Sequence, residues 1–158
     1  MRLATITDHS LRVLLSVALA PGGRTTIAAV ARQLELGENH VVKVVHALGR
    51  MGFLANARGR GGGLRLAAPA AEINLARVVS ATESWDLVEC FDPAQNTCSL
   101  AGQCRLEGVL HEALGAFHAV IARYTLEDLA RHERSATVIR LVPGSKPSQQ
   151  NPKSSEVS

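Results

Sequence analysis

Leu11, Leu14, Leu15 and Ala18 fall at i, i+3, i+4 and i+7, so residues 10–19 predict an amphipathic helix with Thr7 as N-cap and Pro21-Gly22-Gly23 as its stop. A second helix, capped by Thr25 or Thr26, sets Ile27, Val30, Ala31 and Leu34 on one face. Leu36-Gly37-Glu38 predicts a tight turn, and a third helix follows from about Glu38 to Met51. Two short helices joined by a glycine-containing turn predict a helix-turn-helix.

The third helix divides its polar and apolar positions sharply. Asn39, Lys43, His46 and Arg50 stand at i, i+4, i+7 and i+11, which places them within about 60° of one another around the helix axis. Val41, Val44, Val45 and Leu48 occupy the opposite side and must face the core. A single exposed stripe of hydrogen-bond donors is what reading base edges and phosphates in a major groove requires. A solvated helix face would show the same stripe, so the next segment decides.

That segment is FLANARGRGGGLRLAAP. Leu54–Arg58 and Leu64–Ala67 predict two short strands, with Gly59-Arg60-Gly61-Gly62-Gly63 as the turn between them. Its glycines permit close backbone approach to a partner. Arg58, Arg60 and Arg65 put three cations on the hairpin with no acid among them. The glycines do not form a phosphate-cradling enzyme loop, because no Gly-Lys-Ser/Thr and no helix start follow them. Three helices and a basic hairpin predict a mostly α chain, a winged helix-turn-helix with a two-stranded wing. The candidate DNA contacts are Thr26, Asn39, His40, Lys43, His46, Arg50, Arg58, Arg60, Gly61 and Gly62, acting on bases and backbone phosphates of a double-stranded operator.

Residues 72–82 predict a short helix with Ile73, Ala76, Val79 and Ser80 along one side. A long helix runs from Cys104 to about Tyr124, where Leu106, Leu110, Ala113, Phe117, Val120 and Tyr124 alternate at spacings of four and three. That repeat is the seam of two paired helices and predicts a homodimer. Thr125-Leu126-Glu127-Asp128 is a capping box opening a last short helix. The expected division is a DNA-binding unit over 1–82, a cysteine-bearing loop over 83–104, a dimerisation helix and short terminal helix over 105–142, and a disordered tail over 143–158.

Charge sharpens the division. Residues 1–80 carry ten Lys/Arg against four Asp/Glu, whereas residues 81–158 carry seven against ten. A basic front half fits a polyanion partner. Asp8, His9 and Arg12 break the N-terminal apolar run, so no signal peptide is expected there. No stretch approaches the length of an apolar membrane span. A cytoplasmic chain with no membrane partner is expected.

The only cysteines are Cys90, Cys98 and Cys104, spaced C-x7-C-x5-C among the turn formers Asp92, Pro93, Asn96 and Gly102. An odd number in a reducing compartment argues against a disulfide framework. Structural zinc usually shows CxxC pairs, though three Cys plus one His or Asp could close a tetrahedron. Iron–sulfur clusters take thiolates at irregular spacings. On spacing alone the iron–sulfur and zinc readings stay level, with incidental buried cysteines third.

Four further pieces bear on the choice: TDHSLRVLLSVA, ENHVVKVVHALGRMGFL, RGRGGGLRLA and YTLEDL. With the cysteine triplet ahead of a long helix, they make the chain resemble the winged-helix bacterial repressors that sense iron–sulfur status, in particular their nitric-oxide-sensitive branch. The resemblance runs from Met1 to about Leu141. It implies a homodimeric repressor with one cluster per subunit, [4Fe–4S] in preference to [2Fe–2S], held by Cys90, Cys98 and Cys104. It implies a fourth ligand from the partner subunit at the place of Asp8, and nitric oxide as the effector that releases detoxification genes. Glu107 stands where the biogenesis branch carries a ligand histidine. The first two cysteines stand two residues further apart than is common in the family. Asp8 also has a plain role, since a carboxylate in a first helical turn complements the macrodipole. Two rival readings are an iron–sulfur electron-transfer protein and a zinc or thiol sensor on the same DNA-binding module. No Ser/His/Asp arrangement, carboxylate pair or nucleotide fingerprint points to an enzyme.

Overall fold

The computed structural model describes residues 2–57, 63–92 and 94–135. Its elements are α1 (Thr5–Leu19), α2 (Ile27–Leu34), α3 (Glu38–Arg50), β1 (Leu54–Ala57), β2 (Gly63–Leu66), α4 (Leu75–Thr82), α5 (Arg105–Ile121) and α6 (Leu126–Ser135). The chain is mostly α, with one antiparallel pair in which Leu54 faces Leu66 and Ala57 faces Gly63.

The predicted faces of α2 and α3 pack into the core, whereas on α1 the buried residues are Val13, Leu14, Val17 and Ala18, with the expected Leu11 and Leu15 only half-buried against them. Val13, Leu14 and Val17 of α1 meet Val30 and Ala31 of α2 and Val41, Val44, Val45 and Leu48 of α3, all buried. Leu14 and Leu48 are among the largest fully buried side chains, each contributing about 1.5–3 kcal/mol through apolar burial. Thr26 caps α2, its hydroxyl accepting from the Ala29 N–H at 3.1 Å. The left-handed residue of the turn before α3 is Glu35 (φ 53°), while Gly37 is the extended N-cap of α3.

Thr7 does not cap α1. The helix begins earlier, at Thr5 after Ala4, and Thr7 is buried with its hydroxyl donating to the Thr82 carbonyl at 2.9 Å. The Ala4 N–H is satisfied from a distance, donating to both carboxylate oxygens of Glu83 at 2.9 and 3.2 Å. In α4 the buried side is Leu75, Ala76, Val78 and Val79; Ser80 is exposed, in hydrogen-bond contact with His118 at 3.2 Å. Asn74 caps this helix, its side-chain oxygen accepting from the Ala76 N–H at 2.9 Å.

The capping box is reciprocal: Thr125 N–H donates to Asp128 at 2.8 Å and Asp128 N–H to the Thr125 hydroxyl at 3.3 Å. The backbone and side-chain donors of Thr125 hold the Asp128 carboxyl below its ordinary range. α6 returns to the N-terminal core, where Leu126 and Ala130 are buried beside the α1–α3 side chains. In contrast, α5 buries none of its residues. Leu106, Val109, Val120 and the adjoining Tyr124 are exposed, an apolar strip that the described residues leave uncovered. The expected tail over 143–158 lies outside the described residues.

Candidate nucleic-acid interface and metal centre

On α3, Asn39, Lys43, His46 and Arg50 are all exposed, and the four apolar residues behind them are buried. Burying the valine face leaves the polar stripe pointing outward. His40 differs. It is half-buried, with Nε2 2.5 Å from Nδ1 of His9 on α1 and the two rings edge-to-face at 4.6 Å between centroids. Thr26 is exposed, although its hydroxyl is already used in capping. Arg58, Arg60, Gly61 and Gly62 lie outside the described residues.

The base of the wing is described and holds a residue that the sequence did not single out. Thr25 and Leu64 exchange backbone hydrogen bonds, Thr25 N–H to Leu64 at 3.1 Å and Leu64 N–H to Thr25 at 2.8 Å. A Cβ at Gly63 would meet the Thr25 carbonyl oxygen at 2.5 Å, so only glycine permits this approach. The antiparallel bridge sets Arg24, itself extended, opposite Arg65. Like charges across neighbouring strands repel, and among the described residues no acidic one lines the cavity of about 430 Å³ that they border. Two guanidiniums so placed suit an anion such as a backbone phosphate. Only the strand pairing reveals Arg24, because it belongs to no periodic pattern.

The three thiols are free and half-exposed on one loop. Cys90 sits in a single 3-10 turn, Glu89–Phe91, and Cys104 is the residue before the first turn of α5. Between them Cys98 N–H donates to Asn96 at 2.9 Å, Thr97 donates to the Glu89 carboxylate at 3.2 Å, and Gly102 N–H donates to Glu107 at 3.0 Å. Glu107 thus pins the loop to α5. His111 stacks on Phe91 at 3.8 Å with an 11° tilt, a second pin beside Cys90. Partial burial, then Glu107, then the neighbouring Cys98 and Cys104 push the Cys90 thiol above its ordinary range.

Among the described residues no three His, Cys, Asp or Glu side chains converge on a single ion position. Three free thiols on one loop are the donor type that an iron–sulfur cluster takes, and zinc takes the same donors. Asp8 is exposed on α1, 3.6 Å from Arg12 and 3.8 Å from His9, and forms no chelating group with the thiols of its own chain. Partial burial and the facing His40 hold His9 below the usual histidine range, against the pull of Asp8.

Residues 3–132 match the Rrf2 family, described as iron-dependent transcriptional regulators. The chain belongs to the Rrf2 family. It is 46% identical over 135 residues to the transcriptional regulator NsrR of Shouchella clausii, covering 84% of this chain and 91% of that protein. Identity to NsrR of Bacillus subtilis is 42%, over 84% and 92%. The fold is similar to that of IscR from T. potens (TM-score 0.71, 16% identity, 87% and 92% covered) and CymR from B. subtilis (TM-score 0.66, 22% identity, 84% and 98% covered). As a member of Rrf2 the chain is a winged-helix transcriptional regulator rather than an enzyme. Among the described residues no helix is long and apolar enough to cross a membrane.

Proposed function

We propose that this Rrf2-family regulator is a homodimeric repressor of the cytoplasm that grips a palindromic DNA operator and releases it on exposure to nitric oxide, freeing detoxification genes. The reading is carried by the three free thiols fixed at the entry of a helix whose apolar side the described residues leave uncovered. Relatives named NsrR at 38–46% identity support it.

Residues 1–82 read DNA, 83–104 hold the cofactor, and 105–142 supply the dimer helix and the short helix after it. Two copies of α5 cover each other's Leu106, Val109, Val120 and Tyr124, which sets the spacing of the two α3 helices. Asn39, Lys43, His46 and Arg50 face the major groove, and His40 stands at its edge. Thr26, Arg58, Arg60, Gly61, Gly62, Arg24 and Arg65 approach phosphates or the neighbouring minor groove. Cys90, Cys98 and Cys104 of one subunit with Asp8 of the partner subunit form the ligand set for an iron–sulfur cluster of the [4Fe–4S] type. When bound, that cluster supplies irons that react with nitric oxide. Asp8 links the subunits while it is engaged there; once free, it returns to Arg12 and His9 of its own chain. The two reading heads are then no longer held at operator spacing, and affinity falls by the difference between the two states.

Anaerobic purification is expected to give a brown dimer containing iron and acid-labile sulfide, which stepwise nitric oxide bleaches in parallel with operator release. A colourless zinc-loaded protein, or bleaching that leaves DNA binding intact, would overturn the reading. At the wing, Arg65→Gln is expected to flatten the dependence of log affinity on log salt by about one, measured by fluorescence anisotropy across a salt series.

A further inference from the structure

We infer that His9 and His40 are positioning residues that carry the state of Asp8 to the first turn of the recognition helix α3. The inference rests on the reading of Asp8 as the inter-subunit ligand, and it adds the path by which that ligand reaches DNA.

The path is short. Asp8 and His9 are consecutive on α1, about 100° apart around the axis, so one can face outward while the other turns in. Asp8 has 54% of its side chain exposed, whereas His9 has 14% and faces α3. There its Nδ1 meets Nε2 of His40, 31 positions along the chain. His40 is the third residue of α3. It follows the exposed Asn39 in the N-terminal turn, the part of a recognition helix that contacts base edges. A shift of the His40 ring therefore moves the first base-reading turn.

The two ring nitrogens of His9 face different groups. Nε2 points to the Asp8 carboxylate at 3.8 Å and Nδ1 to His40. A neutral imidazole has one N–H and one acceptor nitrogen. With the N–H turned toward Asp8, Nδ1 accepts from Nε2–H of His40. At 3.8 Å the Asp8 carboxylate is beyond hydrogen-bond reach of Nε2 and biases the ring through its charge, which favours the N–H on that side. Drawing it away to a ligand position on the other subunit removes that bias. The ring is then free to turn, and His40 with it. His40 is accordingly a relay, half-buried behind the stripe. Changes at His40 should alter how well DNA affinity tracks the cofactor more than which bases are read.

The first test needs no cluster. In full-length apo-protein labelled with ¹⁵N, Asp8→Asn is expected to shift the imidazole resonances of both His9 and His40 and the amides of Asn39 and Val41. In a His9→Leu background the same substitution should leave the α3 resonances in place. Shifts confined to α1, or an equal α3 shift with His9 absent, would overturn the inference. The second test uses loaded and apo dimers on operator DNA. His9→Leu and His40→Leu should each pull the ratio of loaded to apo affinity toward one by about tenfold, with iron and sulfide content and melting temperature unchanged. The double variant should do no more than either single one, because both break one link. His40→Gln, which keeps a donor for His9, should retain most of the ratio. Additive losses, or an unaltered ratio in both single variants, would overturn the relay. The apo measurement reads the histidine link alone, and cluster content in Asp8→Ala reads the ligand assignment alone.

Discussion

Cys98→Ser is expected to leave a colourless protein, with iron and sulfide content more than about tenfold lower and operator affinity reduced by about a thousandfold toward its non-specific level. A thiolate is a soft, charged donor that irons retain; a serine hydroxyl at neutral pH is neither. Cys98 is the informative choice because it stands clear of both α5 and the 3-10 turn at Cys90. Its backbone shapes the loop there, the N–H donating to Asn96 and the carbonyl accepting from the Ala101 N–H, and serine keeps both bonds. Loop shape is preserved while the donor is lost. Salt dependence should persist, since the arginines and Lys43 are untouched. A variant with full iron and sulfide content and unaltered operator binding would remove Cys98 from the ligand set.

Val120→Glu is expected to split the dimer. Val120 is 47% exposed on α5, so in a single chain the carboxylate stays in water and stability should change by less than about 0.5 kcal/mol. In a two-fold interface the substitution appears on both sides, bringing two charges into a dry seam. Sedimentation should show a folded monomer. Operator affinity should fall by at least about a hundredfold, because the two half-sites no longer benefit from being bound together. A variant that sediments as a dimer and binds normally would place the interface elsewhere.

On α3 the helical repeat alone was enough. The stripe of α3 and its valine face follow from spacing, and the structure exposes one and buries the other as expected. The wing strands fall within a residue of their predicted ends. What escaped were contacts between distant positions and the phase of short helices. Thr7 looks like a cap, but α1 starts earlier because Glu83 supplies an acceptor from another element. Ser80 looks inward by spacing, yet it is exposed beside His118. Glycine seemed to make the turn before α3, yet Glu35 takes the left-handed conformation. Arg24 is found only through the Thr25–Leu64 bridge, and His40 cannot be distinguished from its exposed neighbours until His9 is placed beside it. The three cysteines were legible as a group from their confinement to one loop. Their pins, Glu107 and the Phe91–His111 stack, were not, since both reach across to α5.

The borrowed cap of α1 has a practical side. With its opening N–H gripped by Glu83, the amino end of the chain is latched to the strand of backbone that leads into the thiol loop. A purification handle fused ahead of Leu3 would pull on that latch and on the thiol loop together. Handles belong at the opposite terminus.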